Sequence, residues 1–280
     1  MGIKGYMPFR NSMIWVFKMV IKHVHLVTVG AGIVNNYLRD NPSDLEFKEV
    51  CLNDKELFKR ASEVSPIFQR VYSYLCKNPR RTSPEINAMW KYLERGLVNQ
   101  VYLYHTDTGV GKFCAELLRK YFREEHNIET YVVKLEGFGL VFEEGLTSLL
   151  DKVVDKIRKL TLSPLVKVYL NATGGFKPEN AILVLAASLM NVKTIYYMHE
   201  KFKEPIELPI FPLTIKEEYL KILKQINERE KMHGFAIKIE LIKKIGESKL
   251  NELKERNLVV EENGRIRLRK WMKVMLKYYT

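Results

Sequence analysis

Cysteine is scarce in this 280-residue chain: Cys51, Cys76 and Cys114 are odd in number, widely spaced and never paired as Cys-x-x-Cys. Neither a disulfide framework nor a structural zinc site is supported by that pattern, and a reducing cytoplasm is the expected compartment. Long apolar runs are missing as well. The longest near the start, Met13 to Ile21, contains Lys18 and falls far short of the ~20 residues that span a bilayer. No small-residue cleavage site follows it, so residues 1–22 are expected to form an N-terminal tail and no membrane contact is expected. Glycine and proline are not in excess. With 46% apolar and 28% charged residues, the composition excludes disordered and fibrous classes and allows a sizeable core.

Positive charge is in surplus, at +13. From Thr214 onward the chain carries 17 Lys+Arg against 10 Glu, so the C-terminal quarter holds more than its share. Excess base attracts phosphate-bearing partners.

The hydrophobic pattern alternates between strand and helix. His25 to Val29 is a β-favouring run ending at Gly30-Ala31-Gly32, after which Ile33, Val34, Tyr37 and Leu38 recur at helical spacing. Val101 to Tyr104, a turn-rich loop and a helix through Tyr121 repeat the unit, and Thr130 to Val133, Val166 to Leu170 and Val192 to Met198 supply further strands. A mostly helical insertion separates Leu38 from Asn99, broken by Asn78-Pro79-Arg80-Arg81. Strands alternating with long helices predict an α/β fold, a Rossmann-like doubly wound parallel sheet over residues 23–213. Residues 214–280 read as three helices, a hairpin turning at Asn263-Gly264 and a closing helix, the pattern of a winged helix-turn-helix domain.

Three loops carry candidate chemistry, because ligands of doubly wound sheets lie at the carboxyl ends of the strands. Gly30-x-Gly32 begins like a dinucleotide fingerprint, but Asn35 occupies the third glycine position, which argues against a dehydrogenase; the turn's amides would still accept a phosphate. Thr106-Asp107-Thr108-Gly109-Val110-Gly111-Lys112 ends like a P-loop, yet Thr106 replaces the first glycine and Phe113 the Mg²⁺-binding hydroxyl residue. Lys112 remains a candidate for a ligand phosphate, and His105, Asp107 and Thr108 for ligand contact. In Ala172-Thr173-Gly174-Gly175-Phe176-Lys177, two glycines permit close backbone approach while the following helix start presents free amides. A lysine at the positive end of a helix is unfavourable unless an anion accompanies it, so Lys177 marks an anion site. No histidine spacing suits a metal, and Arg119 and His126 read as surface residues. In the proposed recognition helix Lys249, Lys254 and Arg256 are balanced by Glu247, Glu252 and Glu255, which weakens a DNA-binding reading; Arg265, Arg267, Arg269 and Lys270 at the wing favour it.

Together these blocks resemble the CRISPR-associated Rossmann-fold (CARF) proteins that carry a C-terminal winged helix, in particular the archaeal ring nucleases. The resemblance rests on Thr28-Val29-Gly30 with Asn35-Asn36, on Thr106-Asp107-Thr108 with Cys114 to Leu118, on Ser83 to Ala88, and most specifically on Ala172 to Lys177. It implies a homodimer binding cyclic tetra-adenylate across its two-fold axis. The contacts it implies involve Gly30, Ala31, Gly32, Asn35, Thr173, Gly174, Gly175 and Phe176. It further implies metal-free and cofactor-free cleavage to linear di-adenylate ending in a 2′,3′-cyclic phosphate, with Lys177 as the catalytic residue. Members with this activity often have a hydroxyl residue after the first strand, where this chain has Ala31 and Gly32. The alternative is a non-catalytic transcription regulator responding to the same ligand.

Overall fold

The computed structural model describes residues 21–138, 140–175, 177–190, 192–199, 204–210 and 215–278. The expected tail, Phe176 and the expected domain boundary near Leu213 lie wholly or largely outside them.

Chain order runs β1 (Lys22–Val29), α1 (Gly32–Asp40), α2 (Leu45–Leu52), α3 (Asp54–Arg60), α4 (Pro66–Lys77), α5 (Pro79–Thr82), α6 (Pro84–Glu94), β2 (Gln100–His105), α7 (Gly109–His126), β3 (Glu129–Lys134), α8 (Phe142–Thr161), β4 (Val166–Asn171), α9 (Lys177–Leu189), β5 (Thr194–Met198) and β6 (Pro205–Leu208). The sheet order is β3-β2-β1-β4-β5-β6, with every pairing parallel except β5 with β6. This is an α/β, Rossmann-like sheet, and its order reverses between β1 and β4. The antiparallel β6 edge is an addition to the sequence reading; its four residues are too short to show a period.

β1 is buried over its last six residues because helices cover both faces of the sheet. On one side Val27, Val29, Val101 and Leu103 pack against Ile33, Ile86, Met89, Phe113 and Leu117 of α1, α6 and α7. On the other, Val24, Leu26, Val168 and Leu170 meet Leu149, Val153 and Ile157 of α8 and Leu183 and Ala187 of α9. Local chemistry starts the insertion's last helices, the first of them at the expected break: Asn78 Oδ1 accepts from Arg81 N and Ser83 Oγ from Ile86 N, with Pro79 and Pro84 in the first turns.

The C-terminal segment comprises α10 (Glu217–His233), β7 (Ala236–Ile237), α11 (Lys238–Ile245), α12 (Glu247–Glu255), β8 (Val259–Glu262), β9 (Arg265–Leu268) and α13 (Lys270–Leu276), with its strands antiparallel in the order β7-β9-β8. Asn263 (φ 50°) and Gly264 (φ 72°) make the turn with the two left-handed residues a type I′ hairpin requires. This segment packs against α8. Met272, Met275 and Leu276 of α13 share a core cluster with Leu146, Leu150 and Val154 of α8, and Lys277 Nζ lies 2.9 Å from Asp151 Oδ1.

One buried polar group inside the sheet gives the fold an acid limit. His25 is fully buried, with Nε2 2.9 Å from Leu97 O and Nδ1 2.8 Å from the Tyr196 hydroxyl. A carbonyl only accepts, so Nε2 carries the hydrogen and Nδ1 accepts from Tyr196. Burial pushes the imidazole from its usual 6.5 down to about 3. In the unfolded chain the same histidine takes up its proton near 6.5, so the unfolded state binds more protons as pH falls from 6.5 towards 3, and stability falls with it. The slope is on the order of 1 kcal/mol per pH unit. Urea midpoints should therefore drop between pH 7 and pH 5 in the natural protein and drop less in His25→Gln; equal slopes would mean that His25 is not the acid-sensitive group.

Candidate functional site

The crevice at the carboxyl ends of β1 and β4 is built by backbone contact. Gly174 N donates to Thr28 O at 3.2 Å, and a Cβ on Gly174 would lie 2.3 Å from Gly30 N and 2.4 Å from Thr28 O. Only glycine lets the β4–α9 loop rest on the end of β1 in this way. Gly175 follows in the left-handed region (φ 87°), where a Cβ would lie 3.2 Å from Phe138 Cζ. Asn180, one turn into α9, donates from Nδ2 to Gly174 O at 2.5 Å and to Ala172 O at 3.3 Å, so the helix holds the loop that precedes it. Thr173 Oγ1 donates to Asn171 Oδ1 (2.5 Å) and accepts from Met198 N (3.0 Å), tying the loop to β5.

This loop borders two cavities. One, of about 770 Å³, is lined by Thr173, Gly175, Lys177, Asn180, Tyr197 and His199 among others. Lys177 is exposed there as the first residue of α9, and Asn180 Oδ1 is buried without a hydrogen-bond partner among the described residues. The other, of about 1050 Å³, shares Thr173, Met198 and His199 with the first and is lined on its far side by Arg39, Arg80 and Arg81. A cationic head at a helix start can hold and stabilise a phosphate, and the neighbouring guanidinium groups extend that positive surface. Among the described residues no three His, Cys, Asp or Glu side chains are grouped as metal ligands.

Of the residues predicted from sequence, Thr173, Gly175 and Lys177 line the cavities, and Gly174 sets the loop against β1. The first glycine turn differs from expectation. Gly30 N is not free for a phosphate, because it donates to Glu85 Oε1 at 3.0 Å. Glu85 is itself buried at the start of α6; burial raises its pKa, while the bonds from Gly30 N and Ser83 Oγ oppose that rise. Gly32 is glycine for another reason: its Cβ would lie 2.6 Å from Pro84 Cδ. Ala31 precedes α1 with no side-chain cap, and Asn35 is exposed on that helix. None of Gly30, Ala31, Gly32 and Asn35 lines either cavity.

The residues at the end of β2 are also engaged within the protein, and they lie on the side of β1 away from β4. Thr108 caps α7 by accepting from Gly111 N at 3.1 Å, and Gly109 N donates to Asp54 Oδ1 at 2.6 Å, so the chain's own carboxylate occupies the anion position of the P-loop-like turn. Lys112 Nζ sits 3.7 Å above the Phe58 ring. Asp107 pairs with Lys134 at 3.0 Å and accepts from Gly137 N at 3.3 Å. His105 is buried, with Nδ1 2.7 Å from Thr106 O, and burial lowers its pKa. His105, Asp107, Thr108 and Lys112 therefore form a structural corner that lines neither cavity. Sequence reading missed Arg39, Arg80, Arg81, Asn180 and His199. The Arg80-Arg81 pair after Pro79 was the one legible signal, since two adjacent bases in a tight turn cannot both face a core.

Residues 80–211 match the model of a family described as CRISPR-associated protein (Cas_APE2256). The matched stretch covers just under half of the chain, from the Arg80-Arg81 turn through the β4–α9 loop to the end of β6, and supports a CRISPR-associated protein. No helix among the described residues is long and apolar enough to cross a membrane.

Proposed function

We propose that this protein is a homodimeric ring nuclease of type III CRISPR defence. It binds cyclic tetra-adenylate at the carboxyl ends of β1 and β4 and cuts it to linear di-adenylate. The observation that carries this reading is the β4–α9 loop: a glycine turn pressed onto β1 that sets Lys177, at a helix N-terminus, on the edge of an open cavity. A phosphodiester of the ring lies beside that helix start, its charge matched by the positive end of the helix and the Lys177 ammonium. With the ribose 2′-oxygen in line, it attacks the adjacent phosphorus, the P–O5′ bond breaks, and a 2′,3′-cyclic phosphate and a 5′-hydroxyl result. The 2′-hydroxyl proton leaves to water, and the 5′-oxygen takes one from water. Positioning and stabilisation of negative charge on the phosphoryl oxygens supply the catalysis, with Lys177 as the stabilising cation.

Leu185, on α9 in the lining of the Lys177 cavity, and Leu140, Val141 and Phe142, where α8 begins, are exposed apolar residues, 52% and 65%, 50% and 55% respectively. A second copy covering them would bring two such loops around one four-fold ring. The C-terminal segment we read as a winged helix. On α12, Lys249 pairs with Glu218 and Glu252, Lys254 with Glu261, and Arg256 with Glu252, all at 2.9–3.1 Å. With Glu218, Glu252 and Glu261 beside them, these cations present little net charge to a phosphate backbone, which favours the nuclease over the transcription regulator.

The test is incubation of the purified protein with labelled cyclic tetra-adenylate in EDTA. Di-adenylate with a cyclic phosphate end is the expected product; intact, bound ligand would instead make this a sensor.

A further inference from the structure

The second cavity, of about 1050 Å³, is larger than any one phosphate needs, and its cations have no role in the chemistry at Lys177. Arg39 and Arg81 both pair with one carboxylate, Asp40, each at 3.0 Å, with their own side chains 61% and 64% exposed. Ion pairs that exposed are worth little, so either guanidinium can turn to a ligand oxygen at small cost. Arg80 is aimed differently: its Nε donates to Asn87 Oδ1 at 3.1 Å while the guanidinium packs 5.4 Å over Trp90. Three guanidinium groups thus line one cavity, and among the described residues Asp40 is the one carboxylate paired with them. The walls also carry amides suited to a base edge. Asn36 spends its nitrogen on Thr82 O at 2.9 Å and Asn78 its oxygen on Arg81 N at 3.3 Å, leaving the Asn36 carbonyl and the Asn78 nitrogen as the ends a base could use. Thr173, Met198 and His199 line both cavities, so this one adjoins the cavity at Lys177.

We infer that the Arg39–Arg80–Arg81 cavity is a second nucleotide subsite, taking the phosphate-bearing nucleotide next to the one held at Lys177. Each protomer then grips two consecutive nucleotides, one at the reacting phosphate and one by its phosphate and base in the arginine cavity. The inference rests on the oligoadenylate reading for the identity of the chain, and on the cavity alone for the phosphate-bearing nucleotide.

The probe is 5′-phosphorylated linear di-adenylate, titrated calorimetrically at several salt concentrations into the full-length protein. Arg39→Gln/Arg81→Gln is expected to weaken its binding about 10- to 100-fold and to flatten the salt dependence by about 0.7 for each phosphate no longer neutralised, with an unchanged melting temperature. Lys243→Gln/Lys244→Gln removes the same charge from α11 and should leave binding as it was. Unchanged affinity in the arginine variant, an equal loss in the α11 variant, or no di-adenylate binding by the natural protein would each overturn the inference. Ring cutting is scored in parallel. Arginine-dependent di-adenylate binding without ring cutting retains the subsite and rejects the nuclease; ring cutting with full affinity in the arginine variant does the reverse.

Discussion

Lys177→Ala is expected to slow ring cleavage about 10²- to 10³-fold, the cost typical of removing one charge-stabilising group from a phosphoryl or acyl transition state. The side chain is exposed at the first position of α9 and takes part in none of the hydrogen bonds that hold the β4–α9 loop, which run through Gly174, Thr173 and Asn180. Folding should therefore be untouched, and the melting temperature should stay within about 1 °C of the natural protein or rise slightly, since a cation leaves a helix N-terminus. The rate is to be measured by single turnover at saturating enzyme, so that weaker binding does not enter. A variant that cuts at the natural rate would move the catalysis elsewhere; a variant that loses affinity but not rate would make Lys177 a binding group only.

Gly174→Ala should damage both fold and site, and by a different route. Its added methyl would lie 2.3 Å from Gly30 N, 2.4 Å from Thr28 O and 2.7 Å from Val29 C, all backbone atoms of a strand end fixed in the sheet. Flexible side chains yield to such a contact; a central strand does not. The loop must lift, which breaks the Gly174 N to Thr28 O bond and moves the start of α9 away from β1. Overpacking of this kind costs about 1–3 kcal/mol, which for a chain of this size lowers the melting temperature by about 2–12 °C. Binding and cutting of the ring should fall together, because the displaced element carries Lys177. Natural stability and activity in Gly174→Ala would show that the close approach of the two loops is not needed.

Much of this architecture was legible along the chain, because it is encoded locally. The apolar run to Val29, the helical spacing after Gly32, the break at Asn78-Pro79 and the Asn263-Gly264 turn each express a period or a backbone preference spanning a few residues. The glycines of the β4–α9 loop were recognisable as places of close approach, and Lys177 as a cation set against its helix. What each glycine approaches was not legible. Glu85 takes the Gly30 amide and Asp54 the Gly109 amide, each from 55 residues away, and both turn an apparent anion site into an internal bond. The arginine cavity joins α1, α5 and the ends of β4 and β5, segments that no short-range pattern relates.

By itself the sequence determined the alternation of strands and helices, hence a parallel sheet with its loops gathered at one end, and it determined which loops contain the glycine and lysine that a phosphate needs. The tertiary structure alone decided that two of three similar turns are filled by the chain's own carboxylates. A backbone amide at a helix start will bind whichever carboxylate or phosphate the fold delivers to it, and that delivery depends on crossovers that bring distant residues together, not on the residues of the turn.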